Sequence, residues 1–230
     1  CPGPILKMKK TMDTLASGDR VEITSTDPGF PRDAAAWCNS TGNQLISKEA
    51  TGGKSVVVIE KGEPKSCNIV TSCEGKGKTF IMFSDDLDKA LATFVLANGA
   101  AATGQKVTIF FTFWGLNVIK KLHKPNVEKD IFGKMFGMML PSSSRKLKLS
   151  KMSMGGIGGK MMRYIMNRKG IDSLESLRQQ ALENGVEFIA CQMSMDVMGV
   201  KQEELLDEVT IGGVATYMER ADNANINLFI

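Results

Sequence analysis

The chain of 230 residues is long enough to bury a core without staples and exceeds the usual single domain, so two small domains are expected. Its composition, 43% hydrophobic and 23% charged with a formal charge of +4, is that of a soluble globular protein, and no apolar run approaches the roughly eighteen residues of a membrane span. Five cysteines at positions 1, 38, 67, 73 and 191 are too few and too scattered for a disulfide scaffold, so most are expected as free thiols.

Ile5, Met8, Met12 and Leu15 recur at spacings of three and four, predicting a helix over Pro4 to Ala16 with Cys1 at or beside its N-cap. Arg20 to Thr26 alternates as a strand, Asp27-Pro28-Gly29 is a turn, and Pro31 opens a short helix through Trp37 and Cys38. Leu45 to Lys48 and Ser55 to Lys61 read as a hairpin across Thr51-Gly52-Gly53. Lys61 to Lys78 has no sustained periodicity and is the expected linker. The divisions are residues 1–61, a linker over 62–77, and 78–230.

The second part alternates strand and helix: strand Thr79 to Phe83, helix Asp86 to Ala102, strand Lys106 to Phe113, then basic, partly helical material. Near the end come helix Leu174 to Asn184, strands Val186 to Cys191 and Glu208 to Ile211, helix Val214 to Ala221 and strand Ile226 to Ile230. Val107-Thr108-Ile109-Phe110-Phe111 is almost continuously apolar, as a strand covered on both faces should be. The order predicts an α/β fold with a doubly wound, mainly parallel sheet. Charge is regional: residues 120–169 hold thirteen Lys and Arg against Glu128 and Asp130, a balance of +11 that leaves −7 elsewhere. Eight of the fifteen methionines share that stretch, a combination that suits an adaptable partner.

Cys1-Pro2-Gly3-Pro4 is the sharpest local motif, because a thiol at a helix N-terminus faces the positive end of the dipole, which favours thiolate. Spacing alone leaves a structural cysteine the commoner reading. The motif, followed by helix, strand, Asp27-Pro28, Arg32-Asp33 and Trp37-Cys38, resembles the TusA (SirA-like) sulfur carriers over residues 1–61. The resemblance implies a small two-layer α/β domain whose cysteine, here Cys1, carries sulfane sulfur as a persulfide. The family's first strand, which precedes the motif, is not in this sequence; either it was removed with upstream sequence or another segment replaces it.

Cys191 ends the strand Val186 to Ala190 at the carboxyl edge of the expected sheet, where open α/β folds place their ligands. A buried core cysteine is the bland alternative. Cys191-Gln192-Met193-Ser194-Met195-Asp196, with Phe83-Ser84-Asp85-Asp86 and Phe113-Trp114-Gly115-Leu116, resembles the DsrE/DsrF-like family over about 78–230. In its larger DsrE-like branch a cysteine at this strand end carries the persulfide, which maps to Cys191.

The resemblances together imply a sulfurtransferase that relays sulfane sulfur on Cys1 and Cys191 without a cofactor or metal. Its partners would be a donor such as a rhodanese or polysulfide, an acceptor thiol protein, and upstream rhodanese or disulfide-reductase-like domains of a longer polypeptide that the opening Cys suggests. A homo-oligomer and a cytoplasmic location, for want of an export signal, complete the expectation. Two other readings stand beside it: a non-catalytic module binding coenzyme A or a nucleotide, and an oligomerisation scaffold for a larger disulfide reductase. Persulfide exchange needs no general base, which suits a chain whose single histidine, His123, lies among lysines and is read as solvated. Cys67 and Cys73 are read as linker thiols and Cys38 as core. Gly155 to Lys160 fails the phosphate-loop pattern at Met154 and Met161 and is expected to be a hinge before a Met161 to Met166 helix. Nucleic acid is not expected as a partner of the basic tract, since no aromatic platform accompanies it; a membrane surface is the less favoured alternative there.

Overall fold

The computed structural model describes residues 3–26, 30–51, 54–62, 77–123, 125, 127, 129 and 131–230. It divides into two compact units, Cys1–Gly75 with Asn98–Gln105, and Lys76–Ala97 with Lys106–Ile230.

In the first unit the expected 3/4 spacing forms helix α1 (Gly3–Asp13). The helix stops short of Ala16 because local side chains take over the backbone: Thr14 Oγ1 donates to the Thr11 carbonyl, and the Ala16 amide donates to Asp19 Oδ2. Strand β1 (Arg20–Ser25), helix α2 (Phe30–Thr41), and strands β2 (Gln44–Thr51) and β3 (Lys54–Glu60) follow. All pairings are antiparallel in the order β1-β3-β2, with β3 central. Both helices lie over one face, burying Met8 and Met12 of α1 and Phe30, Ala34, Trp37 and Cys38 of α2 against Val57 and Ile59 of β3. Cys38 is a core residue, as read from its place beside Trp37.

The second unit is a five-stranded parallel sheet ordered β7-β6-β5-β4-β8, from β4 (Gly77–Met82), β5 (Val107–Phe111), β6 (Glu187–Cys191), β7 (Thr210–Gly212) and β8 (Ala224–Phe229). Every residue of β5 is buried, as its almost continuously apolar run predicts. Helices α3 (Leu87–Ala102), α4 (Ile131–Met139), α5 (Ile157–Arg168), α6 (Leu174–Glu183), α7 (Gln192–Met198) and α8 (Val214–Asp222) complete it. Adjacent residues of a strand point to opposite faces. Phe111 and Phe188 accordingly pack on Phe94 of α3, with ring centroids 5.3–6.4 Å apart, while Phe110 and Ile189 pack on Tyr217 of α8. Helices thus cover both faces, the doubly wound arrangement.

Helix α5 starts four residues before the expected Met161, and the glycine run is part of it rather than a hinge throughout. A Cβ at Gly158 would lie 2.1 Å from the Met152 carbonyl oxygen, and one at Gly159 would lie 3.2 Å from that of Leu147. These glycines let the helix press onto the preceding chain.

Candidate functional site

An interior parallel strand must leave its last residues at the carboxyl edge, and β6 leaves Cys191 there. The residue closes the strand opposite Gly212 of β7 and also caps α7, with φ −71° and ψ 113°. Its side chain falls on the Ile189 face, in a cluster with Phe110, Ile189 and Tyr217, and is 7% exposed. Tyr217 packs its ring on Phe110 at 5.2 Å, and its hydroxyl lies 3.2 Å from Thr79 Oγ1, which donates in turn to Asn227 Oδ1. This fixes α8 across the sheet. Gly212 is the residue that permits the close approach: a Cβ there would come within 2.8 Å of Ile189 Cγ2 and 3.3 Å of Thr216 Cβ. With Gly213 exposed beyond it, the strand opposite Cys191 ends without a side chain.

Two polar ties hold the neighbouring strand ends. Thr112, just past β5, and Ser194, in the first turn of α7, face each other at 2.8 Å between buried hydroxyl oxygens. This bond joins the segment that leaves β5 to the helix that leaves Cys191. Beyond Thr112 the chain turns sharply through Phe113 (φ 46°) into a 3-10 segment, Phe113–Ile119. A side chain in that left-handed region costs of order 1 kcal/mol or more and persists only where surroundings impose it. Here the Gly115 amide donates to the Phe83 carbonyl at 2.8 Å, and a Cβ at Gly115 would sit 1.9 Å from the Met82 carbonyl oxygen. Arg178 of α6 closes the other end, its buried guanidinium donating to the Val118 carbonyl at 2.6 Å. Asn117 Nδ2 donates to Asp85 Oδ2 at 2.9 Å, and burial pushes the Asp85 carboxyl above the usual range despite that bond.

Among the described residues the carboxyl edge therefore gathers the Cys191 thiol, the buried Thr112 and Ser194 hydroxyls and the Asp85 carboxyl, the last three held by side-chain hydrogen bonds. Among the described residues no cluster of His, Cys, Asp and Glu could hold a metal ion, and His123 is exposed. Burial pushes the Cys38 thiol up to about 11, which leaves it protonated and unreactive at neutral pH. Cys1, Cys67 and Cys73 lie outside the described residues. A concavity of about 540 Å³, lined by Leu87, Arg163, Met166, Ile171, Ser173 and Leu174 among others, includes none of the cluster around Cys191. The roles of Thr112, Ser194, Asn117 and Tyr217 go beyond the sequence reading. Each touches a residue distant in the chain, and the one local hint was position just past a strand end.

Residues 75–229 match the profile of the DsrE/DsrF/DrsH-like family. The chain belongs to that family. Residues 1–61 of this DsrE-like chain match sulfurtransferase TusA. The DsrE-like part is similar to the uncharacterized protein YrkE of Bacillus subtilis, 44% identical over 155 residues that make up 67% of this chain and 97% of the relative. It is also similar to the sulfur carrier protein DsrE2 of Allochromatium vinosum, 38% identical over 161 residues, 68% of this chain and 99% of the relative. The first unit is similar to the sulfur carrier protein TusA of the same organism, 41% identical over 61 residues, 26% of this chain and 80% of the relative. No helix among the described residues is long and apolar enough to cross a membrane.

Proposed function

We propose that this DsrE-like chain is a sulfur-relay protein that carries sulfane sulfur as persulfides on Cys191 and Cys1 and passes it between thiols. The observation that carries the reading is the place of Cys191 at the carboxyl end of an interior parallel strand, in a chain whose two parts are each similar to a named sulfur carrier.

The chemistry asks little of the surroundings. A cysteine thiolate attacks the outer sulfur of a donor persulfide; the donor's S–S bond breaks, its inner sulfur leaves as thiolate, and the new S–S bond forms on the receiving cysteine. The reverse step, onto an acceptor thiolate, restores the cysteine. Electrons balance within each exchange, so no external oxidant or reductant enters. What the protein contributes is position and selectivity: Gly213 leaves open space beyond the strand end beside Cys191, while Gly212 lets Ile189 and Thr216 close in, and Phe110, Ile189 and Tyr217 shield the thiol from bulk solvent. A rhodanese-type persulfide or a polysulfide is the fitting donor, and a thiol protein the fitting acceptor.

The test is peptide mass spectrometry after incubation with a polysulfide or a persulfidated rhodanese, on wild type, Cys1→Ser and Cys191→Ser. Gain of whole sulfur atoms on both cysteines, with onward transfer to an acceptor thiol lost in either variant, is the expected result. Sulfur on neither cysteine would overturn the proposal.

A further inference from the structure

Apolar residues of a helix that recur at i, i+4, i+7 and i+8 normally face the core. In α5 that stripe is Ile157, Met161, Tyr164 and Ile165, and it faces out, with exposures of 63%, 48%, 67% and 39%. The opposite side is the one that is packed: Gly159 and Met166 are buried there, Gly158 is buried at the edge of the stripe beside Ile165, and Arg163 pairs with Glu175 at 3.0 Å and donates to the Ser144 carbonyl at 2.9 Å. The helix is therefore anchored by its inner face and offers its apolar stripe to the surroundings. The chain leading into it does the same. Met152 and Met154 hold left-handed backbone, φ 56° and 44°, and expose 71% and 64% of their surface. That loop is not loose: Leu147 is buried, the Leu87 amide donates to the Lys148 carbonyl at 2.7 Å, and the Ser150 amide donates to Asp88 Oδ1 at 2.9 Å. A fixed scaffold thus holds six large apolar side chains in water.

The stretch that carries this stripe is strongly basic, and the acidic side chains that meet it, Asp88 and Glu175, are engaged with Ser150 and Arg163. Residues 131–171 contain nine Lys and Arg and no Asp or Glu. Seven of the nine, Arg145, Lys146, Lys148, Lys151, Lys160, Arg168 and Lys169, are exposed, and none of the ion pairs between described residues uses them. On the helix wheel Arg168 falls inside the apolar stripe and Lys160 along its border. Apolar side chains that enter an acyl boundary, flanked by cations on long stems that reach phosphates, form the pattern of a helix lying in a membrane interface. Tyr164, with an apolar ring and a polar tip, suits that depth.

We infer that the outward face of α5, with Met152 and Met154, docks this protein on an anionic phospholipid surface as a peripheral contact. Charge complementarity selects this occupant: a second copy of the chain would bring the same exposed cations against themselves, whereas anionic headgroups neutralise them. The contact is independent of Cys191 and would place the proposed sulfur relay at the bilayer surface.

The experiment is flotation of the full chain with vesicles of phosphatidylcholine alone or with about a third phosphatidylglycerol, at 50 and 500 mM salt. Binding to the anionic vesicles at least tenfold tighter than to the neutral ones, weakened by high salt, is expected, since each cation near such a surface contributes about fivefold. Met161→Glu with Ile165→Glu changes exposed side chains only, so the fold, checked by circular dichroism and melting, is retained while vesicle binding falls at least tenfold. Lys148→Glu with Lys151→Glu gives a comparable loss. Failure to float with anionic vesicles at low salt overturns the inference. So does binding that survives both double variants, or wild-type self-association in light scattering that Met161→Glu/Ile165→Glu abolishes while flotation is unchanged, which would assign the stripe to a second copy. Sulfur loading of Cys191 is measured in parallel, so the two proposals stand or fall separately.

Discussion

Alkylation rates give a quantitative test of which thiols of the first unit are open to sulfur chemistry. Cys38, on the core-facing side of α2, is 2% exposed, and burial pushes its thiol up to about 11. At pH 7.5 an ordinary thiol of pKa about 8.5 is roughly one-tenth thiolate, whereas a thiol of pKa about 11 is thiolate in roughly one molecule in three thousand. Thiolate supply alone therefore slows Cys38 by about 300-fold, and restricted access slows it further. Iodoacetamide pulses at pH 7.5, 8.5 and 9.5, read by peptide mass spectrometry on native and urea-unfolded chain, measure the ratio. The expected native rate of Cys38 is at least 300-fold below its unfolded rate at pH 7.5 and rises about tenfold per pH unit up to pH 9.5. A native rate within tenfold of the unfolded one, or one without pH dependence, would refute the reasoning and make Cys38 a competitor of Cys1 for sulfur.

The remaining expectations concern the supports of Cys191. Gly115→Ala puts a Cβ 1.9 Å from the Met82 carbonyl oxygen, so the 3-10 segment must move and its bond to the Phe83 carbonyl is lost; about 2–4 kcal/mol should disappear in urea unfolding. An unchanged midpoint would show that the segment is not fixed by that approach. Thr112→Val leaves the Ser194 hydroxyl, 0% exposed, without its partner and should cost about 1–2 kcal/mol, part of which Ser194→Ala restores in the double variant. Arg220, bonded to Glu187 at 2.9 and 3.2 Å, holds that carboxyl below its usual range. A depressed folded value stabilises above the unfolded pKa and is lost as pH falls through the folded one, so Glu187→Gln should flatten the loss of melting temperature below about pH 4.5. Asp85 has the opposite sign, because burial favours its protonated form: wild type loses stability as pH rises through the acid range, and Asp85→Asn, always neutral, should abolish that loss in melting curves taken against pH.

What the sequence disclosed and what it withheld divide along a physical line. Most of the order of strands and helices and the strand-end place of Cys191 are legible, because local periodicity and nearly continuous apolar runs such as Val107 to Phe111 carry them; helix α7, which leaves Cys191, is not. Contacts that depend on distant residues are not: no local pattern announces that Thr112 meets Ser194 across 82 positions, or that Arg178 reaches back to the Val118 carbonyl. Glycines mislead in a particular way. Read along the chain, Gly155-Gly156-Ile157-Gly158-Gly159 is a break; in the fold the first two take left-handed φ values of 67° and 96°, whereas Gly158 and Gly159 are helical and serve close packing onto Met152 and Leu147. The same step decides the side of the helix. Periodicity establishes that Ile157, Met161, Tyr164 and Ile165 share one face but carries no sign, so an apolar stripe is assigned inward by default. The glycines reverse it: having no side chains, they alone allow the approach that Met152 and Leu147 occupy, so they claim the packed side and turn the larger residues outward. An exposed apolar stripe on α5 is thus a consequence of which of its faces is smallest.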